Sequence, residues 1–163
     1  MNEERKFVVF QVRTEEYAIP ISHVISIEKV EEINRIPQLP SYVIGVVKSR
    51  GHLIPVIDIE NTFYQGALLI DETVRILVLR GKSFEFGLIV ADAKEIIEIA
   101  EEKIEKIGLF SHYGLSYMSG IANLHSRLIT VINPNSFIES LEGVERIDDY
   151  IKEAVELKEP SAQ

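Results

Sequence analysis

A Gly-Lys-Ser run at residues 81–83 is the first feature of this chain of 163 residues that could perform chemistry, because such a run ends many phosphate-binding loops. The loop also needs a glycine five residues before its second glycine, and a helix after it. That earlier position is Ile76, inside an apolar run typical of a strand. Residues 81–83 are therefore interpreted as a hairpin turn.

The histidines and aspartates are the other candidates for metal binding or acid–base chemistry. His23, His52, His112 and His125 are far apart, and no two have the i, i+4 spacing that places two metal ligands on one helix face. Barrel closure could bring the two turn residues His52 and His125 together, but surface turn positions are the favoured interpretation. Asp58 follows an apolar run, where a carboxylate commonly caps a turn, as does Asp92.

Nucleophilic catalysis finds little support in the sequence. The chain has no cysteine and no serine in a Gly-x-Ser-x-Gly pattern. No cofactor and no metal are predicted. The absence of catalytic motifs favours a binding function over an enzyme.

Composition limits the partners. Asp and Glu outnumber Lys and Arg by 26 to 17, which gives a net charge of −9, and the basic residues are scattered. Nucleic acid and anionic membranes attract clustered Lys and Arg, so neither is an expected partner. The chain has no apolar run near the roughly 20 residues of a membrane span and no signal-like start, so we expect a cytoplasmic protein.

Four apolar hairpins dominate the chain. Each consists of two runs rich in β-branched or aromatic residues around a short polar or glycine-containing turn. The predicted hairpins pair residues 7–12 with 17–21, 42–47 with 53–57, 74–79 with 84–90, and 119–124 with 128–132.

Two of these hairpins repeat in sequence. Tyr42 to Asp58 aligns without gaps on Tyr117 to Asn133, 75 positions later (117 − 42 = 75), and a weaker repeat relates Tyr17 to Phe86 at an offset of 69 (86 − 17 = 69). Short strands at regular spacing favour barrels or sandwiches. We interpret the chain as two related β-units that form two small barrels, with chance similarity of hairpins as the alternative.

The C-terminal part is predicted to be helical. Asn133-Pro134 is typical of a helix start, and Gly143 suits a helix end. Residues 144–155 then carry an apolar stripe at three- and four-residue spacing, which predicts an amphipathic helix packed on the barrels. Residues 159–163 are expected to be disordered. The pattern of residues 92–107 fits both a helix and a strand.

Five segments are spread over nearly the whole chain: FVVFQV, EEYAIPISHVISI, IGVVKSRGHLIPVID, FGLIVADAKEII and SYMSGIANLHSRLITVINPNSFI. Together they resemble, in the same order, successive segments of CheW-like chemotaxis adaptors. The resemblance implies a mainly all-β domain, residues 1–158, made of two intertwined, five-stranded SH3-like barrel halves around an apolar seam. Its repeat units would be residues 7–59 and 74–133, followed by a helical segment at 134–158. The resemblance also implies that residues 94–99 form a strand.

The resemblance implies a non-catalytic scaffold that couples chemoreceptors to a CheA-type histidine kinase. The cytoplasmic tip of the receptor, a helical hairpin, would bind in the groove beside the seam, and the regulatory domain of the kinase would meet the barrel faces. The implied receptor-binding residues are Val24, Ile27, Ile33, Val46 and Arg50. The implied kinase-binding residues are Ile121 and Leu124.

Three residues depart from the family pattern at positions where partners are expected to touch. Lys48 replaces the usual Asn of the family signature Gly-Val-x-Asn-x-Arg-Gly, which spans residues 45–51 here. Ser26 stands where Glu is frequent in the family, and Glu60 stands where a basic residue is common. Charge changes at an interface rim alter partner choice more than core packing.

Two alternatives stay open. One is a CheW-like module of a non-chemotactic kinase pathway, and the other is an enzyme or ligand-binding barrel that uses the inter-barrel cleft and His52, Asp58 or His125.

Overall fold

The computed structural model describes residues 5–66, 68–106 and 117–158, and within these residues it contains eleven strands and three α-helices. The predicted mainly all-β fold is confirmed. The strands are β1 (Lys6–Val12), β2 (Glu15–Pro20), β3 (Val24–Lys29), β4 (Val43–Ser49), β5 (His52–Asp58), β6 (Arg75–Arg80), β7 (Glu85–Val90), β8 (Asp92–Glu98), β9 (Ile104–Glu105), β10 (Met118–Leu124) and β11 (Arg127–Ile132). The helices are α1 (Ile59–Tyr64), α2 (Pro134–Ser140) and α3 (Val144–Lys158).

The four expected hairpins all form as antiparallel pairs: β1–β2, β4–β5, β6–β7 and β10–β11. The ambiguous stretch from residue 92 becomes strand β8, which pairs with β1. A local helical pattern is overridden there because the strand supplies an edge partner for β1.

The strands are exchanged between the two repeat units. One sheet has the order β3-β6-β7-β5-β4, and the other has the order β8-β1-β2-β11-β10-β9. The first hairpin of the chain, β1–β2, therefore completes the sheet of the second unit, and β6–β7 completes the sheet of the first. Parallel pairs β2–β11 and β5–β7 join the exchanged hairpins to their new neighbours.

The two sheets repeat each other in register. Val8 lies opposite Ile96, and 69 positions later Leu77 lies opposite Ile27 on the equivalent strands (77 − 8 = 69; 96 − 27 = 69). The register irregularity between Val9 and Phe10 also recurs, between Val24 and Ser26 in the partner strand of the other sheet. The molecule thus has an approximate internal two-fold relation.

Three apolar clusters hold this arrangement together. The largest, which we call the seam, lies between the two sheets and takes residues from both exchanged hairpins, among them Phe10, Ile19, Leu77 and Leu88. One smaller cluster fills each barrel: Phe7, Val9 and Ile129 belong to one, and Ile76, Val78 and Ile54 to the other. Strand alternation explains this division, since successive side chains enter the seam and the barrel interior in turn.

Close backbone approach closes each barrel at an equivalent glycine. A Cβ on Gly45 would lie 2.6 Å from the carbonyl oxygen of Asn34, and a Cβ on Gly120 would lie 2.6 Å from that of Glu105. Asn34 also exchanges two backbone hydrogen bonds with Val46, of 2.9 and 2.8 Å. Only glycine permits this contact at either site.

The predicted C-terminal helical segment is present as two helices. The side chain of Asn133 caps α2 by accepting from the Ser136 amide at 3.1 Å. Helix α3 then packs against β5, and its stripe of Val144, Ile147 and Ile151 is buried in the seam cluster. The predicted disorder of residues 159–163, like the side chains of residues 154–158, lies outside the described residues.

A tyrosine fastens the start of α3 to β4. The Tyr42 hydroxyl donates to the carbonyl of Glu142. Burial, together with the nearby carboxylates of Glu145 and Glu142, raises the pKa of Tyr42 to about 12. The phenol is therefore a protonated donor at neutral pH, and it keeps α3 against the sheet.

The steric argument at Gly120 predicts that Gly120→Ala destabilises the protein by about 1–3 kcal/mol, the usual cost of overpacking. The added Cβ would meet both Glu105 and the side chain of Ile104, at 2.6 and 2.8 Å. Urea unfolding measures the effect. The neighbouring exposed substitution Ser119→Ala is the control and should change stability by less than about 0.5 kcal/mol. Equal stability of the two variants would contradict the close approach.

We propose that residues 1–158 form a single folding unit, because each sheet takes strands from both repeat units. Separate fragments 1–70 and 71–163 are then expected not to fold as monomers, since each lacks the hairpin that fills its sheet. Mixed in equal amounts, they should form a one-to-one complex. Circular dichroism and size-exclusion chromatography test this, and a monomeric fragment that unfolds cooperatively on its own would disprove it.

Candidate protein-interaction surfaces

Two of the expected receptor-binding residues share one face of β3. Val24 and Ile27 are three residues apart, a spacing that normally puts strand side chains on opposite faces. The irregularity after Val24 corrects this, so that Val24 lies opposite Leu79 and Ile27 opposite Leu77, both of which belong to the seam. Val24 packs against the seam, while Ile27 remains 42% exposed at its edge.

The internal repeat places an equivalent pair on β8. Ala93 and Ile96 follow Val24 and Ile27 by 69 positions (93 − 24 = 69; 96 − 27 = 69). Ala93 packs against the seam, and Ile96 is 54% exposed. β8 also contacts β6, the strand that pairs with β3. Our sequence reasoning missed Ile96, although the 69-residue offset of Ile27 would have indicated it. We call Val24, Ile27, Ala93 and Ile96 the edge pairs.

The structure places two other expected receptor-binding residues mainly in packing positions. Val46 is 2% exposed and belongs to the seam, so its side chain is not presented on the surface. Ile33 is half-buried and lies over Gly45, where the barrel closes. Both residues thus contribute to the shape of the five-stranded sheet, which carries Val24 and Ile27.

Arg50 lies in the β4–β5 turn with an intramolecular partner. One of its nitrogens contacts both carboxylate oxygens of Glu85 at 2.9 Å. Its backbone has a φ of 50°, as has the equivalent turn residue His125, at 51°. The guanidinium is half exposed, so it can donate hydrogen bonds to a partner protein, either together with its contact to Glu85 or after that contact is broken.

The other sheet has an ion network at the corresponding corner. Arg127 donates to Glu16 through two nitrogens, at 3.0 and 2.9 Å, and to Glu95 at 2.7 Å. Hydrogen bonds to Glu16, and then to Glu95, raise the pKa of Arg127 further above its usual value. Glu16 and Glu85 are equivalent by the 69-residue offset, so both sheets pair this carboxylate with an arginine (85 − 16 = 69).

Two of the three residues that depart from the family pattern have partners inside the chain. Ser26 donates to Glu28 at 2.8 Å. Glu60 lies 3.6 Å from Arg13, whose guanidinium also stacks over the ring of Tyr64. Lys48 differs, since it is exposed and lines an open groove of about 600 Å³ beside Glu28. Only Lys48 among the three therefore points to an altered surface.

The two expected kinase-binding residues lie on opposite faces of β10. Ile121 pairs with Thr130 on the seam side and is half-buried. Leu124 packs with Ala122 and Ile129 in the barrel interior. The structure therefore does not bring Ile121 and Leu124 together on one surface.

The residues of the enzyme alternative do not converge. His52 and Asp58 lie at opposite ends of β5, about 20 Å apart at 3.3 Å per residue. Asp58 is buried and caps α1, since its carboxylate accepts from the amides of Asn61 and Leu68 at 3.1 and 3.0 Å. His125 lies in a turn of the other sheet. Within residues 5–66, 68–106 and 117–158, no cluster of His, Asp and Glu has the arrangement of a metal site.

These features define a binding protein: two barrels that share a seam, exposed apolar edge pairs, and titratable residues engaged in caps and ion pairs. The chain matches the CheW-like domain family over residues 6–142, and it belongs to that family. As a family member it is a non-catalytic chemotaxis scaffold, so the predictions of an adaptor and of no enzymatic activity are confirmed.

Individual relatives agree with this assignment. The chain is 30% identical to chemotaxis protein CheW of Bacillus subtilis over 146 residues, which are 88% of this chain and 93% of that protein. It is 31% identical to chemotaxis protein CheW of Helicobacter pylori over 141 residues, 85% of this chain and 84% of that protein. The crystal structure of the scaffolding protein CheW from Thermoanaerobacter tengcongensis superposes with a TM-score of 0.76 at 29% identity, and covers 88% of this chain and 92% of that one.

In the part of the chain that the structure describes, no helix is both long and apolar enough to cross a bilayer.

Proposed function

We propose that this chain works in the cytoplasm as an adaptor that holds a chemoreceptor tip and the regulatory domain of a CheA-type histidine kinase at the same time. The edge pairs carry the receptor part of this proposal. They present two exposed isoleucines, Ile27 and Ile96, at equivalent places on the two sheets. A helical hairpin is itself two-fold related, so one helix can pack on each edge pair.

The kinase would bind elsewhere on the molecule. Ile121 supports this contact best, because it lies on the seam side of β10, outside the barrel interior, and is only half-buried. Leu124 would contribute by supporting that strand from the barrel interior. Separate receptor and kinase surfaces on one rigid fold let the adaptor fix the geometry of both partners without any covalent step.

Removal of either exposed isoleucine should weaken receptor binding. We expect Ile27→Ser and Ile96→Ser each to reduce affinity about 5- to 30-fold, since partial burial of such a side chain is worth about 1–2 kcal/mol. Co-sedimentation with receptor-containing membranes measures this, with kinase pull-down as the second readout. Both residues are substantially exposed, so the folded state should be preserved.

The matched control is Leu69→Ser, which removes an aliphatic side chain that is 87% exposed and lies outside the edge pairs. It should leave receptor binding unchanged. If Leu69→Ser weakens co-sedimentation as much as Ile27→Ser and Ile96→Ser do, the edge pairs are not the receptor site.

Arg50 needs a test that separates direct contact from support by its ion pair. If Arg50 contacts the receptor, Arg50→Ala should weaken receptor binding, while Glu85→Gln, which frees the guanidinium, should not. Loss of the exposed pair should cost at most about 1 kcal/mol of stability in either variant. Equal loss of receptor binding in both variants would mean that the pair only shapes the turn. Unchanged binding in Arg50→Ala would remove Arg50 from the site.

A further inference from the structure

The amphipathic helix α3 packs against the five-stranded sheet, and it follows the strands of the second unit only, although the two sheets are equivalent. On the five-stranded sheet, α3 packs against β5, and Leu53 and Ile57 of β5 lie in the same cluster as its apolar stripe. The equivalent strand of the six-stranded sheet is β11, at the 75-residue offset. Its residues Leu128 and Ile132 correspond to Leu53 and Ile57 (128 − 53 = 75; 132 − 57 = 75).

Ile57 and Ile132 are both fully buried in the seam, but two other equivalent pairs differ in exposure. Leu53 is half-buried, whereas Leu128 is 64% exposed. Val46 is buried, whereas its counterpart Ile121 is only half-buried (121 − 46 = 75). Ile121 lies opposite Thr130, and Leu128 lies two residues from Thr130 on the same side of β11. We call Ile121, Leu128 and Thr130 the outer face.

Carboxylates border the outer face on both sides. The printed pairing of β11 with β2 runs from Ile129 opposite Glu16 to Val131 opposite Ala18, and one further step in this register places Glu15 beside Leu128. On the other side, Glu105 of β9 lies opposite Ile121. Glu15 and Glu105 are both exposed. Across the strands they are three strand spacings, or about 14 Å, apart, and along the strands they are offset by two residues, or about 7 Å.

The five-stranded sheet has no such acidic border at the equivalent positions. Phe84 stands where Glu15 stands (84 − 15 = 69), and the backbone of Asn34 pairs with Val46 where Glu105 pairs with Ile121. The helix that covers that sheet, α3, carries Glu145, Asp148 and Asp149 around its stripe. An acidic helix of this kind suits the five-stranded sheet and would be repelled by the outer face.

We propose that the outer face binds an amphipathic helix of a partner protein, with an apolar stripe spaced like that of α3 and with Lys or Arg on both sides of the stripe. A helix with its side chains is about 10–12 Å wide, so its two flanks reach carboxylates that are about 14 Å apart across the strands. Because Ile121 also belongs to the proposed kinase contact, this inference rests on the proposed function and extends it from one residue to a face.

Two peptides test the inference without any receptor or kinase, so its failure is distinguishable from failure of the adaptor function. The first has the sequence of residues 143–158 with Glu145, Asp148, Asp149 and Glu153 replaced by lysine. The second is the unchanged acidic sequence and keeps the same apolar stripe. Titration of each into the isotope-labelled full chain is followed by the amide resonances in nuclear magnetic resonance spectra.

We expect the lysine peptide to shift the resonances of Ile121, Leu128 and Thr130, and to bind at least tenfold more tightly than the acidic peptide. Leu128→Ser should weaken binding of the lysine peptide at least tenfold, since it removes an exposed anchor without touching the core. In the double variant Glu15→Lys and Glu105→Lys, the acidic peptide should bind more tightly than the lysine peptide.

Other results would overturn the inference. Lysine-peptide binding that persists in Leu128→Ser, or that shifts resonances of α3 instead, would show nonspecific attraction to a chain of net charge −9. Equal affinity for both peptides would remove the acidic border from the site. Absence of binding by the lysine peptide would show that the outer face does not accept such a helix. Leu69→Ser is the matched control and should bind the lysine peptide like the wild type.

Discussion

The exchange of hairpins between the two repeat units is the constraint on which the rest of the structure depends. β1–β2 belongs by sequence to the first unit and by hydrogen bonding to the second, and β6–β7 has the opposite assignment. The seam forms because the same hairpins that complete the sheets also present their other faces to each other. A slip of one residue in either hairpin would move Phe10 or Leu79 out of the seam, so the register of both sheets is fixed together.

The edge pairs and the outer face are products of the same constraint. Exchange leaves β3 and β8 as edge strands, and the irregularity in each turns two side chains toward the seam. The two-fold relation then makes the edge pairs alike. The outer face differs from its counterpart because one helix, α3, follows only the second unit. The edge pairs are thus equivalent on the two sheets, whereas the outer face differs from the equivalent surface of the five-stranded sheet.

The sequence predicted the elements better than their partners. Alternation and turn residues identified all four hairpins, and the 75-residue offset identified the repeat that Gly45 and Gly120 reproduce in space. Period-two alternation says which residues form a strand but not which strand lies beside it, so only the family resemblance, and not the residue pattern, indicated intertwined halves. The burial of Val46 depends on the seam, whose other residues are remote in sequence. The shared face of Val24 and Ile27 depends on an irregularity that no residue type marks.

The parallel pairing of β2 with β11 also determines when the first hairpin can complete its sheet during synthesis. β2 ends at Pro20, but its neighbour is complete only at Ile132. At ~5–20 residues per second, the ribosome delivers that neighbour roughly 5–20 s later. During this interval the first hairpin exists with an unpaired strand edge and an apolar face in water. The nascent chain therefore keeps an aggregation-prone surface exposed until its last strand emerges, and a stop codon anywhere before β11 leaves β2 without its parallel neighbour.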